Sequence, residues 1–351
     1  MTIAQPRLLS LATAVPPFAL GQADIAQRAR HVFSDATAGE LDRLMPVFAN
    51  AGIERRYSCV PIEWYARPHG WVERNALYLE HAVALLEAAA RAALARARLA
   101  ADEIDAVVCV STTGIATPSL DALLMGRLGL RPDVRRLPIF GLGCGGGVTG
   151  LARAADLARA VPESRVLFLV VELCALSFRK NDVSKSNLVA TALFGDGAAA
   201  AIVSSRGAGP ALGAAGEHTW PNSLDVMGWE VADDGLKAIF SRDIPALVER
   251  HLRDVSGAFL ARHALGHGDI RHFVCHPGGA KVVTALEHAF ALAPGTLDTA
   301  RGVLRDYGNM SAATLLFVLD RVLASGAGGR MLLTALGPGF TAGFLVLDAP
   351  G

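Results

Sequence analysis

No stretch of the chain is apolar for long enough to cross a bilayer. The longest, residues 166–176, is interrupted by Glu172 and falls short of the about 20 residues that a spanning helix needs. An excess of charge is also missing. Thirty-three basic and thirty-three acidic residues cancel, which leaves no basic stripe of the kind that holds DNA or RNA. Cysteines are few, at 59, 109, 144, 174 and 275, and none forms a CxxC pair. That argues against a zinc or iron–sulfur centre built on thiolates. The odd count leaves at least one thiol free. The first twenty residues lack a basic segment followed by a clean apolar run, and Pro16-Pro17 break the stretch early. We therefore expect no signal peptide and a reducing, cytoplasmic setting. What is abundant is apolar: 52% hydrophobic against 19% charged residues over 351 positions, enough to bury a large core and too much for a disordered chain.

Glycines cluster at the ends of apolar runs, as turns between strands and helices require. The pattern predicts helices over residues 77–97, 120–128, 145–160, 244–265, 282–292 and 311–323. Strands are predicted over 104–110, 137–140, 166–171, 198–203, 273–275, 331–336 and 344–347. Short, wholly apolar strands alternating with helices indicate an α/β fold whose sheet is covered on both faces. The chain also repeats. A shift of 165 residues lays Asn309 on Cys144, Arg330 on Arg165, His276 on Ser111 and Gly279 on Gly114. Two similar halves, residues 1–208 and 209–351, are expected to pack about a pseudo-dyad. Cys144 and Asn309 would then each open a helix near the junction, where α/β sheets bind ligands.

Cys144 lies in Phe140-Gly-Leu-Gly-Cys-Gly-Gly-Gly147, a glycine-lined turn that puts the thiol at a helix start. The exposed N–H groups and helix dipole there favour thiolate, and with an imidazolium alongside a lowered pKa is expected. The alternative is a small core residue at a tight turn. The same stretch contains Gly141, Gly143 and Gly146 in G-x-G-x-x-G spacing. A dinucleotide site would also need an acidic residue at the end of the next strand; Glu163 precedes that strand and Glu172 lies too far along. His276 ends an apolar strand and is followed by Pro277-Gly-Gly279, which forces a turn. Its neighbours His263, His267 and His272 have no acidic or thiol partner at ligand spacing, so no metal site is expected. Asn309, in Tyr307-Gly-Asn-Met-Ser311, would be a helix cap if it stood alone. Together with Cys144 and His276 it completes a nucleophile, an acid–base partner and a hydrogen-bond donor.

These segments, with Leu193-Phe-Gly-Asp-Gly-Ala198 and Gly337-Pro-Gly339, fall in an order and spacing that resemble the type III polyketide synthases, chalcone synthase-like enzymes of the thiolase superfamily. The resemblance runs from about Arg7 to the C-terminus. Asn50-Ala-Gly-Ile-Glu-Arg-Arg-Tyr57, Thr117-Pro-Ser-Leu-Asp121 and Met227-Gly-Trp229 look most like the bacterial alkylpyrone and alkylresorcinol synthases. The resemblance implies a five-layered αβαβα homodimer that takes acyl-CoA and malonyl-CoA as substrates and needs no cofactor. It implies that Cys144 is acylated and that His276 and Asn309 donate to thioester carbonyl oxygens. Phe194 would be the gatekeeper between CoA tunnel and cavity. Thr112, Thr113, Cys174, Ser177, Trp229, Ala238 and Ser311 would line the cavity, and Thr117 would reach the partner's cavity across the dimer interface.

Departures from the plant pattern narrow the substrate. Cys174 replaces threonine, Ala238 replaces a second phenylalanine, Trp229 stands where many members have glycine, and Gly145 to Gly147 replace bulkier residues. Lost bulk near Cys144 and at 238 would open a channel for a long alkyl chain, with Trp229 acting the other way. For CoA, Arg43 retains one basic position of the entrance, while Pro46 and Asn50 replace two others. Arg55, Arg56 or Lys281 would compensate, and Gly278 and Gly279 would let the pantetheine arm lie along the backbone. Two alternatives remain open: a ketoacyl-carrier-protein synthase III-like enzyme that condenses once, and a catalytically silent acyl-CoA binder.

Overall fold

The computed structural model describes residues 5–33, 43 and 45–350. In chain order its strands are β1 (Arg7–Ala14), β2 (Phe18–Gly21), β3 (Arg55–Ser58), β4 (Ala106–Val110), β5 (Arg135–Ile139), β6 (Arg165–Leu173) and β7 (Asp196–Ser204). Then come β8 (Ala211–Thr219), β9 (Met227–Ala232), β10 (Gly235–Phe240), β11 (His272–Cys275), β12 (Gly329–Gly337) and β13 (Thr341–Ala349). Nine of them form one hydrogen-bonded array in the order β11-β12-β13-β8-β1-β7-β6-β4-β5. The order is nearly palindromic. β4 runs parallel to β6, which is antiparallel to β7. β11 runs parallel to β12, which is antiparallel to β13. The halves touch through β1 and β8, paired only at Arg7 and Ala211.

Between the two half-sheets lie helices Gly146–Ala160 and Ala312–Ala324, which pack on each other and on strands of both halves. In the second, every residue from 312 to 319 is buried. A helix apolar on all sides belongs in the middle of a protein. With helix Trp71–Ala97 against β1, β6 and β7, and helices Ala280–Ala289 and Asp298–Tyr307 on the other half, the layers run α, β, α, β, α. This is the thiolase-like arrangement of two similar halves.

Several elements escape the sequence pattern: β1, β8, the β9–β10 hairpin, and helices Gln22–Val32, Lys185–Leu193 and Asp298–Tyr307. β8 reads ALGAAGEHT, with almost no β-branched residues to announce a strand.

The central helices meet at glycine. A Cβ on Gly147 would lie 2.3 Å from the Ala312 carbonyl oxygen, so the helix backbones touch with no side chain between them. Gly147→Ala is expected to push the helices apart and cost about 1–3 kcal/mol. Thermal unfolding would show this as a lowered Tm, and an unchanged Tm would disprove the close contact.

Candidate active site

Cys144 sits in a single 3-10 turn, Gly143–Gly145, that runs directly into the first central helix. The Thr112 hydroxyl accepts the Gly143 N–H at 3.1 Å and anchors the turn to the end of β4. A Cβ on Gly143 would strike the Pro338 ring at 2.6 Å, and one on Gly337 would strike the Leu142 carbonyl oxygen at 2.5 Å. Bare backbone on both sides is what lets the Gly337-Pro-Gly339 turn close over the thiol. Of the five free cysteines, four are buried and Cys144 alone is partly accessible.

Asn309 lies ahead of the second central helix. Its Nδ2 donates to the Gly278 carbonyl at 3.1 Å, and its Oδ1 accepts the Ser311 N–H at 2.8 Å. Ser311 takes a positive φ of 47°, a conformation that costs a non-glycine residue about 1–3 kcal/mol and persists where its surroundings enforce it. The Ser311 and Asn309 side chains both act on the Cys144 thiol, pulling its pKa down. Met310 N–H is held by the Thr314 hydroxyl. His276 follows β11, its N–H bonded to the Thr334 carbonyl. Its ring is buried, and neither ring nitrogen has a partner among the described residues. The loop after it reaches Asn309 through Gly278. The structure thus joins Asn309 to the His276 loop.

Burial sets the electrostatics. It pushes the Cys144 thiol up to about 11 against the downward pull of the Ser311 and Asn309 hydrogen bonds. It pushes the His276 imidazole down to about 4. The sequence predicted a lowered thiol from the helix dipole with an imidazolium alongside. Desolvation outweighs the dipole and favours the neutral form of both groups.

A residue that sequence reasoning passed over lies beside them. Glu172 ends β6 with zero exposure. One carboxylate oxygen accepts the Thr112 N–H at 3.1 Å, and the other has no partner among the described residues. Burial raises its pKa to about 8, against hydrogen bonds from Thr112 and Thr113. The lone acidic residue in an apolar run was the available signal.

The cavity positions gather in two groups. Thr112 and Thr113 flank the glycine turn and β6, with the Thr113 hydroxyl accepting the Leu173 N–H at 2.9 Å. Cys174, Phe194 and Ala238 are buried in one cluster with Trp229 and Phe240 against it. Burial holds the Cys174 thiol well up, helped by the charges of Glu172, Asp196 and Cys144. The Ser177 hydroxyl donates to the Cys174 carbonyl. The Phe194 ring lies 5.7 Å from Trp229 and 5.6 Å from Phe240. Ala238 therefore opens nothing on this side: its cross-strand partner Trp229 and its neighbour Phe240 occupy the space. Thr117 is exposed on the chain as it stands.

Among the CoA candidates, Arg43, Arg55 and Lys281 are exposed and Gly278 is partly so, while Gly279 is buried. Arg56 is not available to a phosphate. It is buried, and its guanidinium is taken up by main-chain carbonyls. The Gly141–Gly146 turn packs at Gly143 directly against the Pro338 ring. Among the described residues no His/Cys/Asp/Glu cluster could hold a metal, and no helix is long and apolar enough to cross a membrane.

A half-buried thiol with a buried carboxamide and imidazole, in a thiolase-like fold, suits an acyl-transfer enzyme of the condensing class. Comparison with known proteins makes the class specific. The family description "Chalcone and stilbene synthases, N-terminal domain" matches residues 3–210, and its C-terminal counterpart matches residues 211–350. The chain is 40% identical to a putative chalcone synthase of Bacillus subtilis (strain 168), over 97% of this chain and 98% of that protein. It is 40% identical to a 1,3,6,8-tetrahydroxynaphthalene synthase of Streptomyces peucetius subsp. caesius, over 95% and 91%. The crystal structure of the Streptomyces coelicolor A3(2) tetrahydroxynaphthalene synthase, a bacterial type III polyketide synthase, superposes with a TM-score of 0.93 at 30% identity, covering 98% of this chain and 99% of that one. The chain belongs to the chalcone and stilbene synthase family of type III polyketide synthases. As such it is an acyltransferase that uses CoA thioesters and needs no cofactor.

Glu172 yields a pH dependence whose sign is fixed. Its folded pKa, about 8, lies above the ordinary glutamate value of 4.5, so the unfolded chain binds fewer protons between those values. Its contribution to stability is full below the unfolded pKa and is lost as pH rises through 8. Glu172→Gln is expected to flatten that loss, worth on the order of a few kcal/mol. Chemical denaturation at pH 5 and pH 8.5 would measure it; equal pH slopes for the two proteins would contradict the assignment.

Proposed function

We propose that this protein condenses malonyl-CoA iteratively onto a medium- or long-chain fatty acyl-CoA starter held on Cys144, and that the product closes to an alkylpyrone or alkylresorcinol. The observation that carries the mechanism is the buried His276 ring, neither nitrogen of which has a partner among the described residues, on a loop that Asn309 holds through the Gly278 carbonyl. A buried polar group left unpaired costs about 1–3 kcal/mol, and a thioester carbonyl oxygen between His276 and Asn309 supplies the missing partner.

In the loading step the Cys144 proton passes to His276, and sulfur attacks the starter thioester carbon. CoA thiolate leaves and takes a proton. Malonyl-CoA then binds with its thioester oxygen toward His276 and the free Nδ2–H of Asn309. Loss of carbon dioxide leaves an enolate on that oxygen, and fixed donors in a dry site stabilise it. The enolate carbon attacks the Cys144 thioester, forms the new carbon–carbon bond and frees the sulfur. Residues 1–208 supply the nucleophile and residues 209–351 the imidazole and carboxamide. Phe194, backed by Trp229 and Phe240, screens the chamber from the CoA side, where Arg43, Lys281, Gly278 and Gly279 receive the cofactor-like arm of the substrate.

The starter assignment rests on a narrow apolar pocket at the inner end of which lie Cys174 and Phe194. It runs between helix Gln22–Val32 and helix Lys185–Leu193, past Ile25 and Ala29, to Arg28 and Ile62. There it meets an open surface groove that shares Leu20, Arg28 and Ile62 with it. The Arg28–Glu63 ion pair, 3.3 Å long, spans this outer end. A lining of this kind takes an alkyl tail and repels a charged one. A second reading follows the tetrahydroxynaphthalene synthases: malonyl-CoA alone primes and extends, and the pocket stays empty.

A homodimer is proposed on the end strand β5. Leu137, Phe140, Ile115 and Leu123 are exposed along this edge, beside Thr117. Edges this apolar are normally covered. A monomeric mass by light scattering would refute the pairing. Five unpaired cysteines support a cytoplasmic setting.

Incubation with acyl-CoAs of graded length and labelled malonyl-CoA, read by mass, tests the function. Extended products from dodecanoyl-CoA are expected; product formed only from malonyl-CoA would favour the second reading. Cys144→Ala should give no acyl-enzyme yet keep some decarboxylation. Asn309→Ala should lose about 100- to 1000-fold in decarboxylation, and full retention would remove Asn309 from the mechanism. Ile25→Trp, in the outer half of the pocket, should lower kcat/KM for dodecanoyl-CoA roughly tenfold or more while sparing butyryl-CoA. An equal loss at both lengths would place the tail elsewhere.

A further inference from the structure

Arg56 is a cation with an unusual occupation. It stands on β3, is 3% exposed, and directs its donors at the end of helix Lys185–Leu193. Nη1 donates to the Thr191 carbonyl at 2.6 Å and to the Phe194 carbonyl at 2.9 Å. Nη2 donates to the Ala192 carbonyl at 2.7 Å and to Gln22 Oε1. Gln22 in turn donates to the Ala192 and Phe48 carbonyls. The last carbonyls of a helix have no partner within it, and a positive charge there is favoured by the helix dipole. Arg56 satisfies three of these oxygens at once.

The carbonyl that Arg56 leaves out is that of Leu193, and it accepts the Asn309 N–H at 2.8 Å. The Gly195 N–H donates back to the Asn309 carbonyl at 3.0 Å. Phe194 therefore makes an isolated parallel β-bridge with Asn309, while its carbonyl is held by Arg56. The packing is as close as the bonding. Cβ atoms added to Gly195 or Gly308 would each lie 3.3 Å from the Arg56 Cβ, so the arginine stem is wedged against both the gate segment and the Asn309 segment.

We propose that Arg56 is a positioning residue for chain extension, acting through the backbone of residues 191–195 to set the Phe194 ring and the Asn309 carboxamide together. The inference rests on the role given above to Asn309. Loading of the starter depends on the Cys144 sulfur, which its own glycine turn holds. Decarboxylation depends on Asn309 Nδ2. Loosening Arg56 moves the second and not the first, and a displacement of an ångström at a donor costs roughly 10- to 100-fold.

The test uses the full-length enzyme with butyryl-CoA as starter. Arg56→Met and Arg56→Lys are compared for Cys144 acyl-enzyme formation by mass and for malonyl-CoA decarboxylation. Arg56→Met is expected to load within about twofold of the parent and to decarboxylate roughly 10- to 100-fold more slowly, the loss falling on kcat rather than KM. Arg56→Lys, which keeps charge but loses the planar fork, should fall between. Should Arg56→Met fail to fold by circular dichroism, Arg56→Lys and Gln22→Ala carry the comparison with the same expected split. Parallel loss of loading and decarboxylation, or loss of neither, overturns the proposal. Failure of the parent enzyme to acylate Cys144 would instead overturn the catalytic reading, so the two failures are distinct.

Discussion

At Gly147 the central helices approach so closely that even a methyl group would collide with the Ala312 carbonyl oxygen, and this contact fixes where both helices begin. One helix is led in by Cys144 and the other by Asn309. The halves are covalently distant but share this layer, so the thiol and the carboxamide are held by the same packed core that holds the molecule together. Backbone contact is stiffer than side-chain contact because no rotamer can relax it. That stiffness answers what the chemistry demands of preorganised donors: they must already point at the oxyanion before charge develops.

The chamber so formed disfavours isolated charge. Thiol and imidazole are each pushed toward the neutral form by desolvation, and the neighbouring Glu172 toward protonation. A neutral imidazole suits decarboxylation. A cation at that position would hold the malonyl carboxylate tightly in the ground state and oppose loss of carbon dioxide, whereas a neutral donor gains strength only as the enolate forms. The loading step needs the opposite, a thiolate. It can arise there because each ion of a thiolate–imidazolium pair offsets the other's desolvation. In the proposed mechanism one site serves two electrostatic demands by passing a single proton between sulfur and nitrogen.

Legibility from sequence followed the range of the interaction. The parallel strands β4, β6, β11 and β12 are each built around a short apolar run, and they were readable. So were the glycine turn at Cys144, the Pro277-Gly-Gly279 turn and the 165-residue repeat, because each is local. β8 was not, since Gly213 to Gly216 become a strand only through pairing with β13. Arg56 was misread as a phosphate ligand for the same reason: an arginine beside another arginine looks exposed until tertiary structure brings three carbonyl oxygens to it. Glu172 was visible as a lone acid in an apolar run, but its place beside the thiol depends on strands 60 residues apart, joined by its bond to the Thr112 N–H.

The cavity wall shows why substitution at single positions misleads about shape. Alanine at 238 removes bulk, yet the antiparallel register sets Trp229 directly across from it, and Phe240 stands on the same face two residues on. Two aromatic rings against Phe194 return the volume one alanine gave up. The wall on the β9–β10 side is therefore closed. The apolar space lies on the opposite side of Cys174, between two helices whose facing residues there include Ala29 and Ala190. In the proposed reading, room for a tail comes from small residues on helices rather than from the lost phenylalanine. Helices can be spaced by side-chain size with little effect on the strands that carry the chemistry, so starter length is free to vary while the seam holding Cys144, His276 and Asn309 stays fixed.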